Sequence, residues 1–130
     1  MISHLDHLVL TSRNVSACID FYTRILGMKA ITFGGDRQAL IFGNQKINIH
    51  EYGKELEPKA HQPQPGALDL CFVVNESVAD IMTHLHAHNV YILEGPVRRT
   101  GAIGVIISVY IRDPDLNLIE LAVYEQPDLP

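Results

Sequence analysis

The chain has no tryptophan and only two cysteines among its 130 residues. Two cysteines without a Cys-x-x-Cys spacing exclude a disulfide-stapled scaffold and a thiolate zinc site. Cys18 and Cys71 each fall in an expected regular element and read as reduced, buried thiols of a cytoplasmic protein. Positive charge is also scarce: 10 Lys and Arg stand against 15 Asp and Glu, for a net charge of −5. That balance disfavours a nucleic-acid surface or an anionic membrane. No apolar run reaches the ~18 residues of a membrane span, and the opening MISHLDHLVL lacks the charged start and apolar core of a signal peptide. What remains is a globular composition, 47% hydrophobic and 19% charged, in a chain of single-domain length.

Within it a pattern of elements occurs twice. Leu5 to Leu10 alternates as a short strand, and Val15, Cys18, Ile19, Tyr22, Ile25 and Leu26 form a helical apolar stripe stopped by Gly27. Strands are expected at Met28–Phe33, Gln38–Phe42 and Lys46–Tyr52, separated by glycine turns. The next stretch, KELEPKAHQPQPG, is proline-rich and nearly devoid of apolar residues, so it reads as a linker. The same order then returns, with a strand at Leu68–Val74 and a helix marked by Val78, Ile81, Met82 and Leu85. Strands are expected near Val90–Leu93, Val105–Ile111 and Asn117–Tyr124. The fold class is therefore α+β: two βαβββ modules in tandem, offset by about 62 residues, forming a curved mixed sheet around a cavity. Residues 1–130 form a single domain, with module one at 1–53, the linker at 54–66 and module two at 67–126.

One residue disturbs the last strand. In RDPDLNLIELAVY, residues 112–124, Glu120 is a single carboxylate inside an apolar run, and an unpaired buried carboxylate is costly. Period-two alternation puts Glu120, Ala122 and Tyr124 on one face and Ile119, Leu121 and Val123 on the other. Matching the modules strand by strand pairs His7 with Asp69, and Ile119–Tyr124 with Ile47–Tyr52, so Glu120 corresponds to Asn48, with His50 two residues along on the same face. Four strands thus offer His7, Asp69, Glu120 and either Asn48 or His50 to one cavity. Imidazole with carboxylates suits Zn, Ni, Fe or Mn and needs no thiolate. The residues alone also fit a small hydrogen-bonded polar network without metal.

The segments LDHLVLTSRNVSACIDFYTRILGM (5–28), KINIHEY (46–52), LDLCFVV (68–74), EGPVRRTG (94–101) and RDPDLNLIELAVY (112–124) together resemble the vicinal oxygen chelate superfamily. That superfamily comprises glyoxalase I, extradiol dioxygenases, and fosfomycin- and bleomycin-resistance proteins, and the chain looks most like its small glyoxalase-domain-containing members. The resemblance implies metal ligands on the first and fourth strands of each module, which fall here on His7, Asn48, Asp69 and Glu120. Two positions depart from the usual set. Bacterial glyoxalase I has Glu where Asn48 stands, and His is usual where Asp69 stands; His50, two residues along on the same face, is the alternative to Asn48.

The resemblance implies a metal-dependent glyoxalase I-like enzyme converting a 2-oxoaldehyde–glutathione hemithioacetal to a 2-hydroxyacyl thioester. Glu120 is then the catalytic base, His7, Asp69, Glu120 and His50 hold a divalent metal (Ni, Zn, Co, Mn or Fe), and glutathione is the co-substrate. Asn48, Arg98 and Arg99 bind substrate, the arginines from a glycine-flanked loop; Arg13 is a weaker candidate. The alternatives are an extradiol dioxygenase and a non-catalytic small-molecule binding protein. Thr11 stands where bacterial glyoxalase I has an arginine near the glutathione carboxylates, which weakens the glutathione assignment. The expected assembly is a homodimer with shared sites, acting on a small molecule, with no nucleic acid and no membrane as partners. His84, His86 and His88 sit at the end of a helix and read as solvated residues.

Overall fold

The computed structural model describes residues 1–126. Eight strands and two helices run in the order β1 (His7–Ser12), α1 (Val15–Asp20), β2 (Lys29–Phe33), β3 (Arg37–Phe42), β4 (Gln45–Glu51), β5 (Asp69–Val73), α2 (Val78–Ala87), β6 (Glu94–Thr100), β7 (Val105–Arg112) and β8 (Leu118–Tyr124). They make two four-stranded mixed sheets of identical plan, ordered β1-β4-β3-β2 and β5-β8-β7-β6. In each, the first strand of the module lies parallel to the fourth, and the remaining pairs are antiparallel. The α+β repeat read from the sequence is therefore present, module for module. No helix among the described residues is long and apolar enough to cross a membrane.

The first compact unit comprises Met1–Leu68 together with the turn Asp113–Asn117. Asn14 caps α1 by accepting the Ala17 N–H at 3.0 Å, and α1 continues through a π-helical turn, Phe21–Ile25, before Gly27 ends it at φ +73°. Its apolar stripe buries Cys18, Tyr22 and Ile25 alongside Leu10, Leu40 and Ile47. Tyr22 is fully buried, and its hydroxyl donates to Asp113 Oδ2 at 2.6 Å. Asp113 also accepts from the Asn117 side chain and from the backbone N–H groups of Asp115 and Asn117. A buried carboxylate is tolerated here because several donors meet it. The linker does not leave the unit: Pro58, Lys59, Gln62 and Pro63 enclose a cavity of about 390 Å³ with Val9, Thr11 and His50.

The second unit holds Asp69–Arg112 and the chain from Leu118. Ser77 caps α2 by accepting the Asp80 N–H at 3.1 Å, and Ile81 and Leu85 bury its apolar face. Ile106, Val109, Ile111, Ile119 and Leu121 supply the buried positions of its sheet. One expected strand is misplaced. Val90–Leu93 is irregular, and the strand is Glu94–Thr100, so Arg98 and Arg99 lie in β6 and not in a loop. The glycine–proline pair that reads as a breaker is absorbed by a bulge between Glu94 and Val97 on an edge strand, where a missing N–H is tolerated. Only glycine suits position 95: φ is +124°, and a Cβ there would lie 2.6 Å from the Ser108 carbonyl oxygen.

Candidate functional site

Strand register settles which residues correspond between modules. His7 opens β1 opposite Lys46, and Asp69 opens β5 opposite Leu118. Two residues further along the partner strands lie Asn48 and Glu120, so Asn48 is the counterpart of Glu120. β4 keeps unbroken register with both neighbours, and His50 pairs with Thr11, the place Ala122 takes opposite Val73 in module two. His50 therefore sits one pleat repeat further along the same face than Asn48.

Glu120 is half-buried and amply partnered. Ser108, on the adjacent strand β7, donates its hydroxyl to Glu120 Oε2 at 2.5 Å and is itself fully buried. Cys71 and Tyr110 are its direct cross-strand neighbours, and both hydrogen-bond to the same carboxylate. Burial and the adjoining Glu120 charge push the Cys71 thiol up to about 11, and the same two causes raise the Tyr110 phenol. Both groups thus stay protonated at neutral pH and act as donors to Glu120. The carboxylate that looked out of place is held by three donors on its own sheet. Cys71 is exposed, against the expectation of a buried thiol, because β5 is an edge strand and this face is polar.

His7 is arranged differently. Its Nδ1 hydrogen-bonds the Asp6 carboxylate at 2.7 Å, which holds the Asp6 carboxyl below its ordinary range. With Nδ1–H donating to Asp6, the Nε2 lone pair is left free, the tautomer a metal-ligating histidine needs. Asn48 is 6% exposed, and its Oδ1 has no hydrogen-bond partner. Asp69 is exposed at the start of β5, on the face of Cys71 and Glu120. The donor types thus suit a divalent cation: a pinned imidazole, a half-buried carboxylate and a second carboxylate. Among the described residues, no group of three His, Cys, Asp or Glu side chains is drawn together in the single chain.

The two arginines expected to meet substrate are already engaged. Arg98 pairs with Glu125 at 2.7 Å; Arg99 pairs with Glu94 at 3.1 Å and donates from Nε to the Tyr110 hydroxyl at 3.2 Å. Arg99 therefore reaches Glu120 through Tyr110, a link that single-residue reading missed; the i, i+2 alternation of β7 and the pairing of β6 with β7 carry the signal. His84 and His88 lie on one face of α2 with ring centroids 4.3 Å apart.

Residues 4–121 match the Glyoxalase/Bleomycin resistance protein/Dioxygenase superfamily. The chain belongs to this superfamily. It is 57% identical over 124 residues to the glyoxalase domain-containing protein RDO1 of Mycosarcoma maydis, covering 95% of this chain and 70% of that one. It is 51% identical to the virulence protein STM3117 of Salmonella typhimurium, covering 95% and 86%. The crystal structure of the latter superposes with a TM-score of 0.95 over 96% of this chain and 99% of that one, at 50% identity. The superfamily fold is shared with more distant proteins. A lactoylglutathione lyase from Agrobacterium tumefaciens superposes at a TM-score of 0.72 and 20% identity, covering 95% of each chain. The fosfomycin resistance protein FosX of Listeria monocytogenes, in complex with Mn(II), superposes at 0.66 and 23% identity, over 96% of this chain and 93% of that one.

Proposed function

We propose that this superfamily member is a metal-dependent enzyme of the glyoxalase I kind, isomerising a hemithioacetal of a 2-oxoaldehyde and glutathione to a 2-hydroxyacyl thioester. The observation that carries the reading is Glu120: a half-buried carboxylate on the polar face of β8, oriented by Ser108, Cys71 and Tyr110. His7, His50, Asp69 and Glu120 are the residues that would hold the cation, and the manganese complex of FosX supports a divalent metal. When bound, a divalent ion supplies Lewis-acid polarisation of adjacent substrate oxygens without a redox change. Glu120 takes the proton from the carbon bearing sulfur and returns it to the neighbouring carbon. Ser108 holds Oε2 in place as the carboxylate moves the proton. Cys71, held protonated, serves as a donor and not as a nucleophile. Two copies of the chain share each site, module one of one copy facing module two of the other.

The test is ultraviolet absorbance of the thioester formed from methylglyoxal and glutathione by protein loaded with Ni, Co, Mn or Zn. Activity with at least one metal, lost on adding chelator and absent in Glu120→Ala, is the expected result. Ring cleavage of a catechol by the iron-loaded protein, with no thioester under any metal, overturns it in favour of a dioxygenase.

A further inference from the structure

The open end of the first sheet holds a cavity of about 930 Å³, where the β2–β3 hairpin faces the end of β4 and the residues after β1. Its wall carries two guanidiniums, Arg13 and Arg37, and neither has a carboxylate partner among the described residues. Each is backed by an aromatic ring: Arg13 lies 5.6 Å from the Tyr52 centroid and Arg37 4.7 Å from that of Phe33. An arginine stacked this way loses little freedom when its N–H edge meets an anion. Lys54 also lines the cavity but is paired with Glu51 at 3.6 Å, which leaves exposed Asp36 on the hairpin as the one unpaired carboxylate of the wall. The remaining local charge is therefore positive, in a chain whose net charge is −5.

The second observation is independent of charge. Asn48 and Gln38 also line the cavity, and Asn48 Oδ1 and Gln38 Oε1 are buried oxygens with no hydrogen-bond partner. Buried carbonyl oxygens without donors are rare and costly, and they point to a donor supplied from elsewhere. The Asn48 amide can turn about its broad χ2 to bring Oδ1 towards the cavity.

We infer that this cavity is a binding site for a small organic acid bearing a hydroxyl or amide N–H: carboxylate groups on Arg13 and Arg37, and the donor on the Asn48 amide oxygen. The site lies wholly within the first unit; His50, one of the proposed cation ligands, lines the same cavity, so the inference deepens the proposed reading of this face but requires no bound cation. Asn48 thereby gains a role that a carboxylate at this position could not fill beside an anionic ligand.

Malate and succinate are the probes, since they share both carboxylates and only malate carries a hydroxyl. Calorimetric titration is done on the full chain as purified at low ionic strength. It is repeated with EDTA present, so that chelation of a cation by malate does not count as binding. Both acids should bind, malate about five- to tenfold more tightly. Arg13→Gln and Arg37→Gln should each weaken both acids by about fivefold or more. Asn48→Leu should erase the preference for malate while leaving succinate binding in place. Circular dichroism of each variant checks folding, and the arginine variants, being surface changes, keep the test decisive if Asn48→Leu misfolds. No binding of either acid overturns the inference, as does binding that both arginine variants leave unchanged or a malate preference that survives Asn48→Leu.

Discussion

The two sheets share strand order and register, yet the matching positions Asn48 and Glu120 are surrounded by opposite kinds of neighbour. Glu120 stands between Cys71 and Tyr110 with the Ser108 hydroxyl close by, so its carboxylate meets three donors. Asn48 stands between Val9 and Ala39, and its amide oxygen has no partner. A duplicated scaffold has thus kept its hydrogen-bonded frame while the chemistry on its polar faces has diverged. One module holds a charge in place; the other offers an imidazole and an empty acceptor. The structural investment differs too. Module one's helix is anchored by a buried tyrosine on the Asp113 network, whereas α2 is fixed by apolar packing of Ile81 and Leu85.

The sharpest way to break this comparison is to treat the two positions alike. Glu120→Ala should lower thioester formation by about 10²- to 10⁴-fold, the usual range for loss of a general base. Asn48→Ala, at the matching position, should change it by less than about tenfold; equal losses would erase the distinction. Asn48→Glu, which gives both modules a carboxylate, should preserve or raise the rate.

A second effect, about 100-fold, concerns Cys71. Although exposed, its thiol is raised from 9.0 to about 11, so its reaction with iodoacetamide at pH 8 should be about 100-fold slower than that of an ordinary cysteine. Glu120→Gln removes one cause of the shift and should speed alkylation. The same sign governs stability: the folded state favours protonated thiols, at about 12 for Cys18 and about 11 for Cys71. That contribution is complete below about pH 9 and lost as pH rises through these values, so alkaline denaturation should begin above pH 9. Next in size is the hydrogen bond behind His7. Asp6→Ala should weaken metal binding by about 10- to 100-fold with no loss of fold, measured by competition with a chromophoric chelator. Smallest is Tyr22→Phe, which leaves Asp113 its other donors and should cost about 1–2 kcal/mol in urea denaturation, with activity retained.

Much of this was legible in the sequence, for identifiable reasons. The repeat, the helical stripe through Tyr22 and the alternation around Glu120 follow from periodicity alone, because burial imposes the period. β6 was not legible: Gly95-Pro96 is punctuation by every local rule, and only pairing with β7 across a bulge makes a strand of it. Arg98 and Arg99 were read as loop cations for the same reason, and their ion pairs with Glu125 and Glu94 are products of that pairing. The exposure of Cys71 was hidden because residue type favours burial while edge position decides against it. Strand matching already pairs Asn48 with Glu120, and the register agrees because both modules keep the same period-two frame.

The central claim is that residues of the two modules, from two copies of the chain, complete one metal site. Its most direct test needs no substrate: metal content of His7→Ala, of Glu120→Ala, and of the two mixed after unfolding and refolding together. Each variant alone should hold little metal. In random pairing half of the dimers are mixed, and each mixed dimer rebuilds one intact site of two, so the mixture should recover about a quarter of wild-type occupancy. No recovery on mixing, or wild-type metal content in either variant alone, would contradict the account.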